Sequence, residues 1–474
     1  MANLKDLMAD YHNAEDSEDD IALLAFRAAS TGSLAKFDLV EQTVDEFVDS
    51  TGIDTSNSTN TLRTGGYAKG AVAGNATGGS ITAYTSGGVT YKVHSFTSVG
   101  STNFVAPAAG TIDYLIVAGG GGGYVGGAGG GGVVHATSQS IPSGNNAAVV
   151  GGGGATNTDG ADSTFNSHTA SGGGRGGGYG PNQHAGGTGG SGGGGGTGNS
   201  QGTRGGTSDQ NAYSGTPNVT GYGTSNNAYW GGGYSAPQDE GSQGGAGAGG
   251  AGIFKPSQGP SNISWPTYRK AGPGGDGRQF DITGTPTYFA GGGAGGGSPD
   301  GGPGAASSPG GGGSNAGSNA VGTAGTANTG GGGAGSMFPM SSGSSGAGGS
   351  GIVIVRYPEN GFITAAQANM TMISTATTAS SQADRASVVL TYVDTTGTAT
   401  INTDIKVYAS RDGTNYTEGT LVDQGSTGAH KIVTANNIDI SGQPAGTTMK
   451  YKVTTHNQSG SKETRVEAIS LGWK

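Results

Sequence analysis

Thr111-Ile112-Asp113-Tyr114-Leu115-Ile116-Val117-Ala118-Gly119-Gly120-Gly121 opens, and Gly348-Gly349-Ser350-Gly351-Ile352-Val353-Ile354-Val355-Arg356-Tyr357 closes, a tract holding most of the chain's glycine. At each border an apolar, β-branched stretch passes directly into glycine, so the tract is framed by strands at Ile112–Val117 and Ile352–Tyr357. Between them glycine falls in discrete runs, with small or polar residues interspersed: 119–123, 129–132, 151–154, 172–178, 192–196, 231–233, 244–252, 291–297, 310–313 and 330–335. Segments rich in Asn, Ser, Thr, Pro and aromatic residues separate the runs.

Such a tract reads in two ways. A flexible linker is the plain one, because glycine loses more conformational freedom on ordering than any other residue. The framing strands favour the other. Glycine in a polyproline-II-like helix has three residues per turn and no internal hydrogen bonds, so its N–H and C=O groups point sideways. Without Cβ atoms neighbouring runs come close enough to pair those groups laterally, which satisfies each buried backbone group without an apolar core. The expectation is a bundle of extended glycine helices, with the inter-run segments emerging at its ends.

Composition agrees. Of 474 residues 104 are glycine, only 32% are hydrophobic and 11% charged, far below an average globular domain. With 16 prolines and no strict Gly-X-Y period, collagen is excluded. No cysteine is present, which removes disulfides and thiolate chemistry. Met1–His12 lacks a secretory apolar core and no stretch suits a bilayer, so folding in a cytosol and no membrane insertion are expected.

The net charge of -10 sits wholly in residues 1–54, where thirteen carboxylates face Lys5, Arg27 and Lys36. An electroneutral remainder argues against nucleic acid as a partner, and the two Arg-Gly-Gly triplets at Arg175 and Arg204 are too isolated to reverse that. The acidic segment suits docking on a basic partner. Ser17 caps a helix carrying Ile21, Leu24, Ala25 and Ala28 at helical spacing, and Phe37, Val40, Val44 and Phe47 suggest a second helix ending at Thr51-Gly52. These could form a helical hairpin or a short coiled-coil seam between copies.

Elsewhere strand patterns prevail. Ser80–Tyr84 and Val89–Phe96 flank the turn Ser86-Gly87-Gly88, and Phe104-Val105 continues the sheet. Beyond the tract, Ser387–Val393, Ile405–Ser410, Lys431–Val433, Met449–Thr455 and Val466–Leu471 read as a β-sandwich, with lysines alternating in Met449-Lys450-Tyr451-Lys452-Val453. The fold class is mainly β and polyglycine-II: short N-terminal helices, β-hairpins, a bundle of extended glycine helices and a C-terminal β-sandwich. Four segments follow: 1–54 acidic and helical, 55–118 β-rich, 119–351 the glycine bundle, and 352–474 the sandwich.

No catalytic constellation emerges, so the chain is not expected to be an enzyme. Matches to Gly-x-Gly-x-x-Gly carry no information at this glycine content, and Gly189-Gly190-Ser191-Gly192-Gly193 lacks the strand-to-helix setting of a nucleophile elbow. The seven histidines show no metal-ligand spacing; His94 and His456 are expected on sheet surfaces, Asp239-Glu240 is expected to be solvated, and no metal or cofactor is expected. The remaining signal is aromatic. Tyr213, Tyr229, Trp230, Tyr234, Phe254, Trp265 and Tyr268 lie between glycine runs. They either seal the ends of the bundle or form a recognition surface of flat rings with polar edges.

The border motifs look like those of glycine-rich domains in bacteriophage fibre proteins, notably of marine phages. Ser410-Arg411-Asp412-Gly413-Thr414 and Asp439-Ile440-Ser441-Gly442-Gln443-Pro444-Ala445-Gly446-Thr447 resemble a terminal β-domain of similar proteins. Runs separated by variable loops are also similar to T-even-type phage adhesins, whose polyglycine-II bundles present receptor-binding loops at a fibre tip. Those adhesins end with the bundle, whereas here a β-domain follows. The resemblance implies a virion protein assembled in the host cytoplasm, and the N-terminal segment, which carries the whole net charge and the amphipathic helical pattern, is expected to attach it to other virion proteins. It also implies a homotrimer and a host surface glycan or outer-membrane protein as the target. A structural head fibre or capsid decoration protein without a dedicated receptor is the alternative. An ice-binding bundle fits less well, since the runs lack a regular Thr or Ala face.

Overall fold

The computed structural model describes residues 36–39, 42–49, 51–64, 66–178, 185–196, 204–226, 242–252, 272–297, 309–314, 321–336 and 345–474. Every regular element among them is a β-strand. The helix expected from Ser17 lies outside the described residues. The second expected helix is corrected: Lys36–Leu39 and Gln42–Asp45 are antiparallel strands in which Phe37 faces Val44. Their spacing fits a hairpin as well as a helix, and the decision comes from far along the chain, where Gln42–Asp45 pairs with Ile469–Gly472. The acids here are not all presented to a partner either. Asp45 and Glu46 are buried, and Asp54 forms an ion pair with Lys450 at 2.9 Å.

The chain divides into two units. One comprises Met1–Gly74, Gly87–Val89 and Ile363–Lys474; the other comprises Asn75–Ser86 and Thr90–Phe362.

In the first unit an eight-stranded sheet runs in the order Lys36–Leu39, Gln42–Asp45, Glu463–Trp473, Arg385–Thr396, His430–Asp439, Val422–Thr427, with the hairpin Thr61–Thr64 and Tyr67–Gly70 attached to Glu463–Trp473. A five-stranded sheet is centred on Thr448–Thr455 and Ile405–Ser410. Val388, Leu390, Ile469 and Leu471 of the first share one apolar core with Ile405, Val407, Tyr451 and Val453 of the second. The alternation read at Met449–Val453 holds, with Met449, Tyr451 and Val453 buried and the lysines between them on the other face. One loop is pinned by a buried guanidinium. Arg411 donates to the carbonyls of Ala383, Ser441, Gln443 and Pro444 and to Asp384 Oδ1.

In the second unit a six-stranded sheet runs Val219–Tyr222, Val133–Ile141, Gly110–Val117, Ile352–Pro358, Val89–Phe96, Ser80–Ser86. The two strands framing the glycine tract are therefore neighbours, in register with Val117 opposite Ile352. A four-stranded sheet runs His168–Ala170, Ser163–Phe165, Gly144–Val150, Gly100–Ala106. Tyr114, Ile116, Val353, Val355 and Tyr357 pack with Phe104, Ala148, Val150 and Phe165. Leu115, Val117, Ile352 and Ile354 carry a second cluster, with Phe280, Ile282 and Phe289. His94 is fully buried in the first of these clusters' surroundings, not on a sheet surface, because its ring stacks on Tyr357 and meets the edge of Phe104.

Beyond the strands the glycine runs follow a period of three. Gly119 and Gly122 donate to Ala161 O and Thr158 O, Gly120 and Gly123 to Gly349 O and Gly346 O, and Gly121 to Gly129 O. The run from Gly291 repeats this. Gly291 and Ala294 donate to Gly310 and Gly313, Gly292 and Gly295 to Gly275 and Gly272, Gly293 and Gly296 to Ala128 and Val125. Successive residues thus address three different neighbours, and every third residue returns to the same one. Glycine is required by proximity here. A Cβ on Gly119, Gly120, Gly121, Gly122 or Gly123 would lie within 2.4 Å of a carbonyl oxygen of another segment, and none of the five has a left-handed φ.

Candidate functional site

The run 119–123 leaves the strand Gly110–Val117, turns at Tyr124–Gly126 and returns as 127–132 to Val133–Ile141. The turn, closed by Tyr124 N–H on Gly126 O, marks the end of the bundle remote from the strands. Around it gather the residues at which the inter-run segments leave. Val125 N–H reaches Gly177 O, Gly127 N–H reaches Gln243 O, and Val125 O accepts from Gly296 N–H. Ser242 N–H bonds Gly296 O, Gly272 N–H bonds Ser242 O, Ser336 N–H bonds Tyr124 O and Gly123 N–H bonds Gly346 O. These residues flank segments 179–184, 227–241, 253–271, 298–308 and 337–344.

Polar side chains lock this end. Ser242 Oγ lies 2.6 Å from Val125 O and 2.8 Å from Gly296 O, its one proton shared between the two carbonyls, and Ser345 Oγ donates to Tyr124 O. Asn226 Nδ2 donates to Gly244 O at 2.6 Å, Gln243 Nε2 donates to Asn226 Oδ1, and Gln243 Oε1 accepts from Gly195 N–H. Asn226, Ser242 and Gln243 are buried to within 2% of full cover. A buried amide is stable only when its donors and acceptors are used, so these groups fix the places where chain enters and leaves the bundle. The sequence carries a signal for them that composition alone did not raise: a Ser-Gln or Ser step immediately before a glycine run, as at Ser242-Gln243-Gly244 and Ser345-Gly346.

Of the candidate recognition residues, Tyr229, Trp230, Tyr234, Phe254, Trp265 and Tyr268 lie outside the described residues, as do Asp239 and Glu240. Their segments begin and end at this locked end, between Asn226 and Ser242 and between Gly252 and Gly272. Tyr213 is placed differently. Its hydroxyl accepts from Thr169 N–H at 2.9 Å and donates to Thr169 O at 3.0 Å, and its ring meets His168 at 4.9 Å. It therefore covers the edge strand His168–Ala170. Nearby, burial pushes the Tyr114 phenol up to about 12, and that hydroxyl lies 2.6 Å from His168 Nδ1.

Other aromatic residues of the tract pack against the six-stranded sheet. Phe280 and Phe289 are buried, Arg278 lies 3.9 Å over the Tyr222 ring, and Tyr288 is the one well-exposed aromatic residue of the tract among the described residues, at 43%. On the same sheet, Arg356 pairs with Asp113 at 2.6 Å and donates to Tyr84 OH at 2.6 Å. Burial lowers His135, and Arg356 and Arg278 add to that against the opposing charges of Asp113 and Asp281. Arg175 is neutralised by Asp159 at 3.0 Å.

The family model described as a glycine-rich domain matches residues 96–358. No curated protein matches the chain.

Proposed function

The chain belongs to the glycine-rich domain family, and from that premise we propose that its glycine tract is a polyglycine-II bundle serving as the rigid scaffold of a bacteriophage fibre. The observation that carries this reading is the three-residue period of the lateral hydrogen bonds, which is the repeat of a polyproline-II-like helix. A lattice of backbone bonds holds its shape without apolar side chains, so the segments between runs are free to vary in sequence. In this reading those segments form a receptor-binding surface for a host glycan or outer-membrane protein. The N-terminal segment joins the protein, as a homotrimer, to the rest of the virion.

Adsorption of particles to host cells tests the proposal. Trp265→Ala with Tyr268→Ala should abolish adsorption and leave the thermal transition of the purified protein unchanged, as expected when rings contact a ligand and not the scaffold. Unaltered adsorption, or loss accompanied by unfolding, would reject the recognition role and favour a structural head fibre or decoration protein.

A further inference from the structure

We propose that the segment Asn75–Gly79 is a strap held closed by the neutral form of His94 and released by acid. The strap lies along the outer edge of Gly100–Ala106, where Thr77 N–H bonds Val105 O at 3.1 Å and Val105 N–H bonds Thr77 O at 2.9 Å. It closes an edge that would otherwise expose unpaired backbone groups. Two side chains of the six-stranded sheet hold it from beneath. Ala76 N–H donates to Tyr357 OH at 3.0 Å, and His94 Nδ1 lies 2.7 Å from Gly78 O. Glycine is required at the fastening point. Gly78 and Gly79 take φ of 105° and 65°, and a Cβ on Gly78 would lie 2.1 Å from Asn103 O.

The hydrogen bonds assign the protons. Gly78 O only accepts, so Nδ1 carries the imidazole proton and Nε2, 3.3 Å from Tyr357 OH, accepts from that hydroxyl. Tyr357 oxygen in turn accepts from Ala76 N–H. A second proton on Nε2 would point at an oxygen already engaged and would leave the Tyr357 proton without an acceptor in a buried site. Among the described residues, the elements packed on His94 bring no compensating carboxylate. The strap contributes a carbonyl, Gly100–Ala106 contributes Phe104, and Ile352–Pro358 contributes Tyr357. Lys92 and Glu359, paired with each other at 2.9 Å, are the charges felt by Tyr357. Burial accordingly lowers His94, against the smaller opposing pull of the Gly78 carbonyl.

A histidine that is neutral when the strap is closed and free to charge when it is open couples opening to uptake of one proton. Stability of the closed form is complete above the ordinary histidine value near 6.5 and falls as pH drops below it. The opening constant should rise about tenfold per pH unit until the folded value is passed.

Amide-exchange protection factors of the full chain, measured from pH 7.5 to 4.5, read this directly. Protection at Ala76, Thr77 and Val105 should fall with that slope, while amides of the first unit's core should not. In His94→Gln, which stays neutral throughout, the slope should vanish. Imidazole NMR of the unaltered protein gives a second reading that needs no variant: His94 should remain the Nδ1–H tautomer until the strap opens. Flat protection down to pH 4.5, an unchanged slope in His94→Gln, or a charged His94 under a closed strap would each overturn the proposal.

Discussion

Replacing Gly129 by alanine tests whether glycine is demanded by space. The added Cβ would sit 2.0 Å from Ser191 O and 2.7 Å from Ser191 C, where ordinary contact starts near 3.4 Å, so the 189–196 run must retreat by roughly 1.4 Å. That run is fastened at the same residue: Ser191 O accepts from Gly174 N–H at 2.9 Å, and Ser191 N–H donates to Gly130 O at 3.1 Å. Such a retreat breaks both bonds in a dry interior, at about 1–3 kcal/mol for each group left without a partner. Alanine returns about 0.4–1 kcal/mol by restricting the unfolded chain. The four groups so freed cost at least about 4 kcal/mol together, and the net expectation is a loss of about 3 kcal/mol or more. Gly152→Ala is the matched control, because its Cβ would meet only Val99 Cγ1 at 3.5 Å; it should lie within about 0.5 kcal/mol of the parent or above it. Calorimetry of the full chain, with hydrogen exchange to assign each transition to its unit, measures both. A Gly129→Ala protein within about 0.5 kcal/mol of the parent, or two variants equally damaged, would refute the spatial argument.

Two further outcomes concern the first unit. Arg411→Lys should lower its stability by about 3–5 kcal/mol, since one ammonium cannot serve four carbonyls and a carboxylate in a buried site; Asp384→Asn, on the exposed side of the same contact, should cost under about 1 kcal/mol in a urea titration. Burial would raise Asp404 and Glu463, but hydrogen bonds override it, from Lys462, Asn457 and Thr400 for the first and from Lys69, Thr395, Gln367 and Arg465 for the second, and hold both at about 2. Their stabilisation should be present above about pH 4.5 and lost as pH falls toward 2, and Asp404→Asn should flatten that dependence in urea titrations at pH 3 and pH 6.

Where a pattern was local, the sequence disclosed it. Ser86-Gly87-Gly88 predicts a hairpin turn, and Gly87 and Gly88 take φ of 56° and 75° between Ser80–Ser86 and Val89–Phe96. Ile405–Ser410 was legible to the residue, because apolar alternation and β-branching coincide there. Phe37 to Phe47 was not, because the partner of Gln42–Asp45 lies more than 420 residues away and local spacing cannot report it. His94 was misplaced for a related reason. A lone histidine in an alternating strand gives no sign of which face is covered on both sides. At the candidate site the glycine borders announced the tract, yet the locking role of Asn226, Ser242 and Gln243 depends on carbonyls contributed by runs scattered over 170 residues.

The bundle's interior of peptide groups gives it an unusual thermal character. Unfolding an apolar core raises heat capacity by about 0.45 cal/K/mol for each Å² of apolar surface, whereas exposing polar backbone lowers it by about 0.26. Opening the lattice of Gly119–Gly132, Gly291–Gly297 and Gly330–Gly335 exposes mainly backbone, so its increment per residue should fall well below the usual roughly 12–15 cal/K/mol. Its free-energy curve is then shallow and its unfolding enthalpy nearly constant with temperature. Cooling, which weakens the sheet cores built on Tyr114 and Leu390, leaves the glycine lattice at almost full strength.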